Sequence, residues 1–326
     1  MKILLTGATG FLGSSVTLML AGHGHHIVAL QRASSNLDSV KQYVADVITG
    51  DVTDPVLVSK AASGMDAIVH MAADLSHWSR HRDRIFRTNV IGTRCVAEAA
   101  KTAGVPTLLH VSSVAAVGYS VDGTPIDETA PNNFVPLRLI YHESKRLAEE
   151  EAADALRYGV NVVIVNPGVL YGPRDLSHTF GQTMLELAAG RIPGHPSGGV
   201  SVTDVEDAAR GVVSALDLGR SGERYLLTGH NLTYAQIFER QAAAVSAHYK
   251  GRTLPAPLMQ AAARVFEFRS RFTGAEPRLT LDNAKIAPLL MWYDSSKAAR
   301  ELDYRVRPLE DTLQRMASAY RRAGLL

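Results

Sequence analysis

Three glycines at fixed spacing, and a tyrosine and a lysine four residues apart, are the residues of this chain best suited by type and position to do chemistry. Gly7, Gly10 and Gly13 stand in Thr6-Gly7-Ala8-Thr9-Gly10-Phe11-Leu12-Gly13, directly behind the apolar run Ile3-Leu4-Leu5. A buried strand that ends in a glycine turn and passes at once into an apolar-periodic helix is the setting in which such a spacing binds a dinucleotide. Gly7 permits the tight turn, Gly10 leaves no Cβ between backbone and pyrophosphate, and Gly13 lets the helix pack close to the strand. The helix N-terminus presents N–H groups to the phosphates. The order is G-x-x-G-x-x-G rather than the commoner G-x-G-x-x-G, and a glycine turn between strand and helix also occurs for structural reasons alone.

Tyr141-His142-Glu143-Ser144-Lys145 is the second constellation. On a helix, Tyr141 and Lys145 share one face. A free phenol titrates near 10, so it is a poor acid–base group at neutral pH, and a nearby ammonium would lower that value toward the working range. Ser113, at the end of an apolar run, adds a hydroxyl able to hold a substrate oxygen against the phenol. Strand alternation allows only one of Ser112 and Ser113 to face such a site. The rival reading makes Ser113 a strand-end serine capping the next turn, and Tyr-x-x-x-Lys a chance pairing.

Positioning these groups requires a sheet. Strand-like runs at 3–5, 27–30, 47–49, 67–70, 108–111 and 160–165 alternate with helical patterns, among them 11–21, 82–103 and 143–158. Strands separated by helical crossovers imply an α/β fold with a doubly wound parallel Rossmann sheet. Ligands of such sheets bind outside the carboxyl ends of the strands, where each of the motifs falls. The expected organisation is a dinucleotide-binding domain over 1–168, to which 200–220 returns. A smaller, mostly helical C-terminal substrate lobe over 169–326 follows. Loops 75–81, 118–140, 174–200 and 255–290 would shape the pocket.

Composition narrows the classes. With 326 residues, 46% apolar and 20% charged, the chain is that of an ordinary globular protein, and its net charge of +2 recommends neither nucleic acid nor an anionic membrane. Its one cysteine, Cys95, excludes an intrachain disulfide and suits a reducing, cytoplasmic compartment. The opening Met1-Lys2-Ile3-Leu4-Leu5 is cut short by Gly7 and Gly10, which argues against a signal peptide. No apolar run approaches the ~18 residues of a membrane span.

Taken together, the motifs resemble those of the extended short-chain dehydrogenases/reductases, the superfamily of NAD-dependent epimerases/dehydratases and dihydroflavonol-reductase-like enzymes. The resemblance runs through Gly50-Asp51-Val52, His70-Met71-Ala72-Ala73 and Asn89-Val90-Ile91-Gly92-Thr93. It continues through Ser112-Ser113, Tyr141-x-x-x-Lys145 and Asn166-Pro167-Gly168-Val169-Leu170-Tyr171-Gly172-Pro173-Arg174. It implies that Tyr141 is the general acid/base, Lys145 its electrostatic partner and a ribose ligand, and Ser113 the substrate-orienting hydroxyl. Asn89 would bend its helix and support the lysine. Gly10, Phe11, Leu12 and Gly13 would line the phosphates, and Asp51 and Val52 would meet the adenine. Ala72 and Ala73 would line the ribose and pyrophosphate path, and Pro167 and Gly168 the nicotinamide carboxamide. After Ser113 the chain reads Val114-Ala115-Ala116-Val117-Gly118-Tyr119, whereas sugar-nucleotide epimerases usually place Tyr before that Gly. The implied activity is therefore an NADP-dependent interconversion of a carbonyl and a secondary alcohol. A nucleotide-sugar epimerase/dehydratase and a non-catalytic NADP-binding redox sensor are the alternatives.

Cofactor choice rests on Gln31 and Arg32. NAD-selective members place an acidic residue at the end of the second strand; here Gln31 stands there, and Arg32 would pair with a 2′-phosphate. His77, Trp78, Asn166 and Arg174 are candidate substrate contacts, alongside Ser113. His77 and His81 have the spacing of a helical metal pair but lack an adjacent Glu and a third ligand, so no metal is expected. The segment from Pro257 to Phe272 reads as a core or lid helix with a basic face, with a membrane-surface helix as the alternative. Small apolar residues on 82–103 and 143–158, such as Val96, Ala97, Ala148 and Ala152, suit a homodimer through a four-helix bundle.

Overall fold

The computed structural model of the chain describes residues 1–175 and 181–326. The expected pocket loop 174–200 therefore falls partly outside the described residues. The strands are β1 (Lys2–Thr6), β2 (His26–Gln31), β3 (Asp46–Thr49), β4 (Ala67–His70), β5 (Thr107–Val111), β6 (Asn161–Pro167) and β7 (Val169–Tyr171). They continue with β8 (Gly194–His195), β9 (Gly199–Asp204), β10 (Arg224–Leu227), β11 (His230–Thr233), β12 (Arg252–Thr253) and β13 (Leu290–Met291). The helices are α1 (Phe11–Gly22), α2 (Pro55–Ala62), α3 (Arg82–Phe86), α4 (Gly92–Thr102), α5 (Ile140–Asp154) and α6 (Gln182–Ala188). After them come α7 (Val205–Leu218), α8 (Tyr234–Ala244), α9 (Ala256–Thr273), α10 (Leu281–Ile286), α11 (Ser296–Glu301) and α12 (Leu309–Arg322).

Seven strands form one sheet in the order β10-β6-β5-β4-β1-β2-β3, every neighbouring pair parallel. The chain winds outward from β1 to β3, then crosses back to β4 and winds the other way. The strand order thus reverses between β1 and β4, opening a crevice at their carboxyl ends. Both faces are covered, which is why the strands read as continuous apolar runs. Ile3 and Leu5 face Val16 and Leu20 of α1 and Val212 of α7. Leu4 points the other way, into a core with Val58, Val96, Ala100 and Ala152 from α2, α4 and α5.

Residues after 200 return to this sheet, α7 as a covering helix and β10 as its edge strand. The second lobe has its own small sheet, in which β9 pairs with β11, β13 and β7. Its core gathers Phe134, Val202, Ile237, Tyr293 and Met316.

The helical pattern over 82–103 is not one regular helix. Residues Arg87–Ile91 form a π turn between α3 and α4, with Asn89 at its centre. Val96, Ala97, Ala99 and Ala100 of α4, and Ala148 and Ala152 of α5, are buried within the chain itself. The small residues expected to build an intersubunit bundle cover their own sheet instead. Polar groups, including the Arg94–Glu151 ion pair at 2.6 Å, lie on the outer side.

Candidate active site

The glycine turn has the geometry its spacing implies. Gly7 adopts φ +76°, in the left-handed region, and a Cβ there would stand 2.8 Å from the Ala72 backbone nitrogen. A Cβ at Gly13 would come within 2.0 Å of the Gly7 carbonyl oxygen, so only glycine lets α1 start this close to β1. Gly10 is the N-cap of α1 and has no side chain with which to satisfy its first-turn N–H groups. The positive end of the helix dipole is thus left for an anion. The residues present fit a dinucleotide pyrophosphate.

Thr6, which closes β1, accepts hydrogen bonds from the Met71 and Ala72 backbone N–H groups at 3.2 and 3.1 Å. It also meets His70 Nδ1 at 2.7 Å, and the other ring nitrogen of His70 meets Thr93 Oγ1 at 3.0 Å. Thr93 in turn donates to the Asn89 carbonyl at 2.6 Å. This buried chain joins the glycine turn to the π turn and fixes the path of Ala72 and Ala73. Burial, with the Lys145 charge adding to it, lowers the His70 pKa to about 3 and keeps the ring neutral.

Tyr141 lies in the first turn of α5 and is almost wholly buried. The second lobe pins that turn, because the Ile140 N–H donates to Asp282 Oδ2 of α10 at 2.9 Å. Burial pushes the phenol pKa up to about 12; the nearby Ser113 hydroxyl acts in the opposite direction, and the Asp74 charge adds to the rise. The expected lowering by Lys145 does not operate here. Lys145 Nζ donates to the Val111 carbonyl at 3.3 Å, and burial lowers its own pKa to about 8 against the opposing charge of Glu149. Desolvation of the buried phenolate outweighs the opposing effect of its neighbours.

Between the two serines the structure chooses clearly. Ser113 is half-buried, accepts from the Ala115 N–H at 3.2 Å and lies near enough to Tyr141 to lower the phenol pKa. Ser112 is buried, and its hydroxyl has no partner among the described residues.

Other expected site residues lie elsewhere. Asn166 is fully buried and does not face the cleft: its side-chain amide donates to the Ser113 carbonyl at 2.8 Å and to Glu149 Oε1 at 2.6 Å. It braces the serine from behind, which corrects its reading as a substrate contact. Asn89 touches Ser144 and Asp74 rather than Lys145, so any support of the lysine passes through Ser144. His77 packs its ring 4.8 Å from that of Tyr141, whereas Trp78 is buried against His81 at 4.7 Å and is turned to packing. His81 itself meets Ser76 Oγ at 3.1 Å. Arg174 is half-buried in the turn after β7.

Around the cofactor path, Arg32 is exposed just beyond β2, and no ion-pair partner for it occurs among the described residues. Asp51 is exposed and accepts from the Thr53 N–H and hydroxyl, both at 2.9 Å. Val52 packs where a Cβ on Gly92 would meet it at 2.8 Å. Pro167 ends β6, and Gly168 sits where a Cβ would lie 2.8 Å from the Ser201 carbonyl oxygen.

The sequence model of the NAD dependent epimerase/dehydratase family matches residues 3–227, which span the glycine turn, Tyr141 and the edge strand β10. The chain belongs to that family. It is an enzyme of the extended short-chain dehydrogenase/reductase type, and the family is NAD(P)-dependent. A putative dihydroflavonol 4-reductase of Synechocystis is 33% identical over 91% of this chain and 88% of its own. Sterol demethylase protein B of Methylococcus capsulatus is 30% identical over 93% of each. A nucleoside-diphosphate-sugar epimerase from Pseudomonas aeruginosa has a solved structure of TM-score 0.81, 27% identical, covering 100% of this chain and 99% of that one.

Thr6, His70, Thr93 and Ser144 stand inside the sequence motifs without a role assigned to them, and Glu149 stands outside them. Thr6 carried a signal, as the one polar residue ending an apolar strand. So did Glu149, an acid one helical turn beyond Lys145, which is buried and paired with Arg224.

Proposed function

We propose that this enzyme interconverts a carbonyl and a secondary alcohol, with NADP(H) favoured over NAD(H). One arrangement carries the reading: the buried Tyr141 stands one helical turn from Lys145, whose ammonium reaches the Val111 carbonyl at the end of β5, just before Ser113. Ser113 holds the substrate oxygen, and Tyr141 passes a proton to or from it. A phenol held near 12 is protonated at neutral pH, the state needed to donate to an oxygen that is gaining negative charge. Lys145 offers its ammonium to the ribose hydroxyls; its pKa of about 8 keeps that charge mostly present at neutral pH. When bound, the nicotinamide supplies or accepts the hydride.

Gly7, Gly10 and Gly13 cradle the pyrophosphate, with Phe11 and Leu12 in the same turn. Asp51 and Val52 border the adenine, Ala72 and Ala73 the ribose path, and Pro167 and Gly168 the carboxamide. Arg32 reads the 2′-phosphate, since Gln31 at the end of β2 presents no carboxylate to repel it. His77, stacked on Tyr141, borders the substrate side, and Arg174 is a further candidate there.

Purified protein incubated with NADPH and a panel of ketones and aldehydes, beside UDP- and dTDP-sugars, tests this reading. Net oxidation of NADPH with a carbonyl supports it. Interconversion of a sugar nucleotide without net oxidation, or cofactor binding with no turnover, overturns it.

A further inference from the structure

We infer that α9 is an interfacial helix that docks this protein on an anionic membrane surface. Leu258, Ala261, Val265, Phe268 and Phe272 recur at alternating steps of three and four residues along α9, so they form a single stripe. All five are exposed, Phe268 by 58% and Phe272 by 78%, and the rings of these two meet edge-to-face with centroids 5.3 Å apart. The buried residues of this 18-residue helix are Ala263 and Ser270. At ~100° per residue they lie on the side roughly opposite the stripe. The helix therefore turns Ala263 and Ser270 to the protein while presenting Leu258, Val265, Phe268 and Phe272 to solvent, the reverse of what packing alone would select for such side chains.

Charge decides what covers the stripe. Arg264 and Arg271 flank it on one side and Arg269 on the other; all three are exposed, and none has an ion-pair partner among the described residues. The helix's one acid, Glu267, is turned inward, accepting the Leu281 N–H at 2.8 Å. Pairing two copies along the stripe would set arginine against arginine in either orientation, so a second copy is a poor occupant. Phenylalanines set between arginine rows suit the boundary of lipid headgroups and acyl chains, where rings enter the acyl region and guanidiniums meet phosphates. The whole-chain charge of +2 conceals this local excess.

The presentation is fixed. Beyond the helix, Glu276 accepts from the Ser76 hydroxyl at 2.7 Å and lies 3.6 Å from His81 Nδ1. The segment that carries the stripe is thereby tied to the loop that carries His77. No described helix is long and apolar enough to cross a membrane, so contact is with the surface only.

The test is co-sedimentation of the full chain with vesicles of phosphatidylcholine alone and of phosphatidylcholine mixed equally with phosphatidylglycerol. Two variants accompany it, Phe268→Glu with Phe272→Glu, and Arg264→Glu with Arg269→Glu and Arg271→Glu. Circular dichroism checks that both stay folded, and light scattering gives the mass in solution. Binding that needs phosphatidylglycerol, weakens with salt and falls about tenfold or more in each variant is the expected result. Absence of binding to the mixed vesicles, or binding indifferent to phosphatidylglycerol, overturns the inference. So does self-association that the double phenylalanine variant abolishes, which would assign the stripe to a second copy.

Discussion

Asn89 donates its side-chain amide to Ser144 Oγ at 2.9 Å, and Ser144 donates to the Tyr141 carbonyl at 2.7 Å. The π turn and the first turn of α5 are thereby held as one unit, although they lie far apart in sequence. A π turn is costly in a regular helix and recurs at functional sites. Here it carries Asn89 to where one amide can serve Asp74 and Ser144 together.

Replacing Asn89 with Ala strips the Asp74 N–H, bound at 2.7 Å, and the Asp74 carbonyl, bound at 3.0 Å, of their partner, as well as Ser144. The expected loss is about 2–3 kcal/mol of stability, because buried polar groups are left unpaired. Turnover should fall more than cofactor affinity, since the helix that shifts carries Tyr141. Urea denaturation and steady-state kinetics check both, and a variant of unchanged stability would refute the bracing role.

Tyr141→Phe removes the proton donor and keeps the ring that packs on His77. Turnover should drop at least ~100-fold while NADPH still binds. Fluorescence titration with NADPH, run beside the rate assay, separates the two effects. Near-normal turnover would remove Tyr141 from the chemistry.

Exchanging Gln31 for Asp and Arg32 for Ala should turn preference from NADPH toward NADH. The cation proposed to meet the 2′-phosphate goes, and a carboxylate that would repel it arrives. The expected swing is about 2–4 kcal/mol in relative kcat/KM. An unchanged ratio would mean that the phosphate is read by other residues.

Acid should destabilise the protein earlier than an ordinary surface histidine would allow. Burial lowers the pKa of His70 to about 3, of His77 to about 4 and of His142 to about 3, and holds His110 well below its usual range. Each has a folded-state pKa below the unfolded value of ~6.5, so between these values the unfolded chain binds the extra proton. Their contribution is complete above pH ~6.5 and is lost as pH falls toward ~4, with His110 coupled to His70 and His142 to His77. Thermal melts across pH 4–8, an interval of roughly that window, should show a steep acid limb. His142→Phe should move that limb to lower pH, because one titrating group is gone and its Nδ1 has no partner to lose among the described residues. A limb in the same place would exclude His142 from it.

The linear order of residues by itself determined the sheet and the glycine turn. Alternating apolar runs with helical crossovers leave few topologies, and Gly7, Gly10 and Gly13 act on neighbours within one strand–turn–helix unit, where spacing in sequence is spacing in space. Tyr141 and Lys145, four apart on one helix, were legible for the same reason. What only the tertiary structure decided involves partners distant in the chain. Ser113 was separated from Ser112 by burial, since Ser112 is enclosed while Ser113 stays half-open near Tyr141. Asn166 became a brace because β6 runs beside β5, and Lys145 was kept from acidifying the phenol by burial that no local pattern reports. The apolar residues of α4 and α5 are equally suited to a sheet or to a second subunit, and packing against the chain's own sheet made the choice. For α9 the periodicity was present in the sequence, but periodicity carries no direction. Which face of a helix meets solvent depends on what the rest of the chain leaves uncovered.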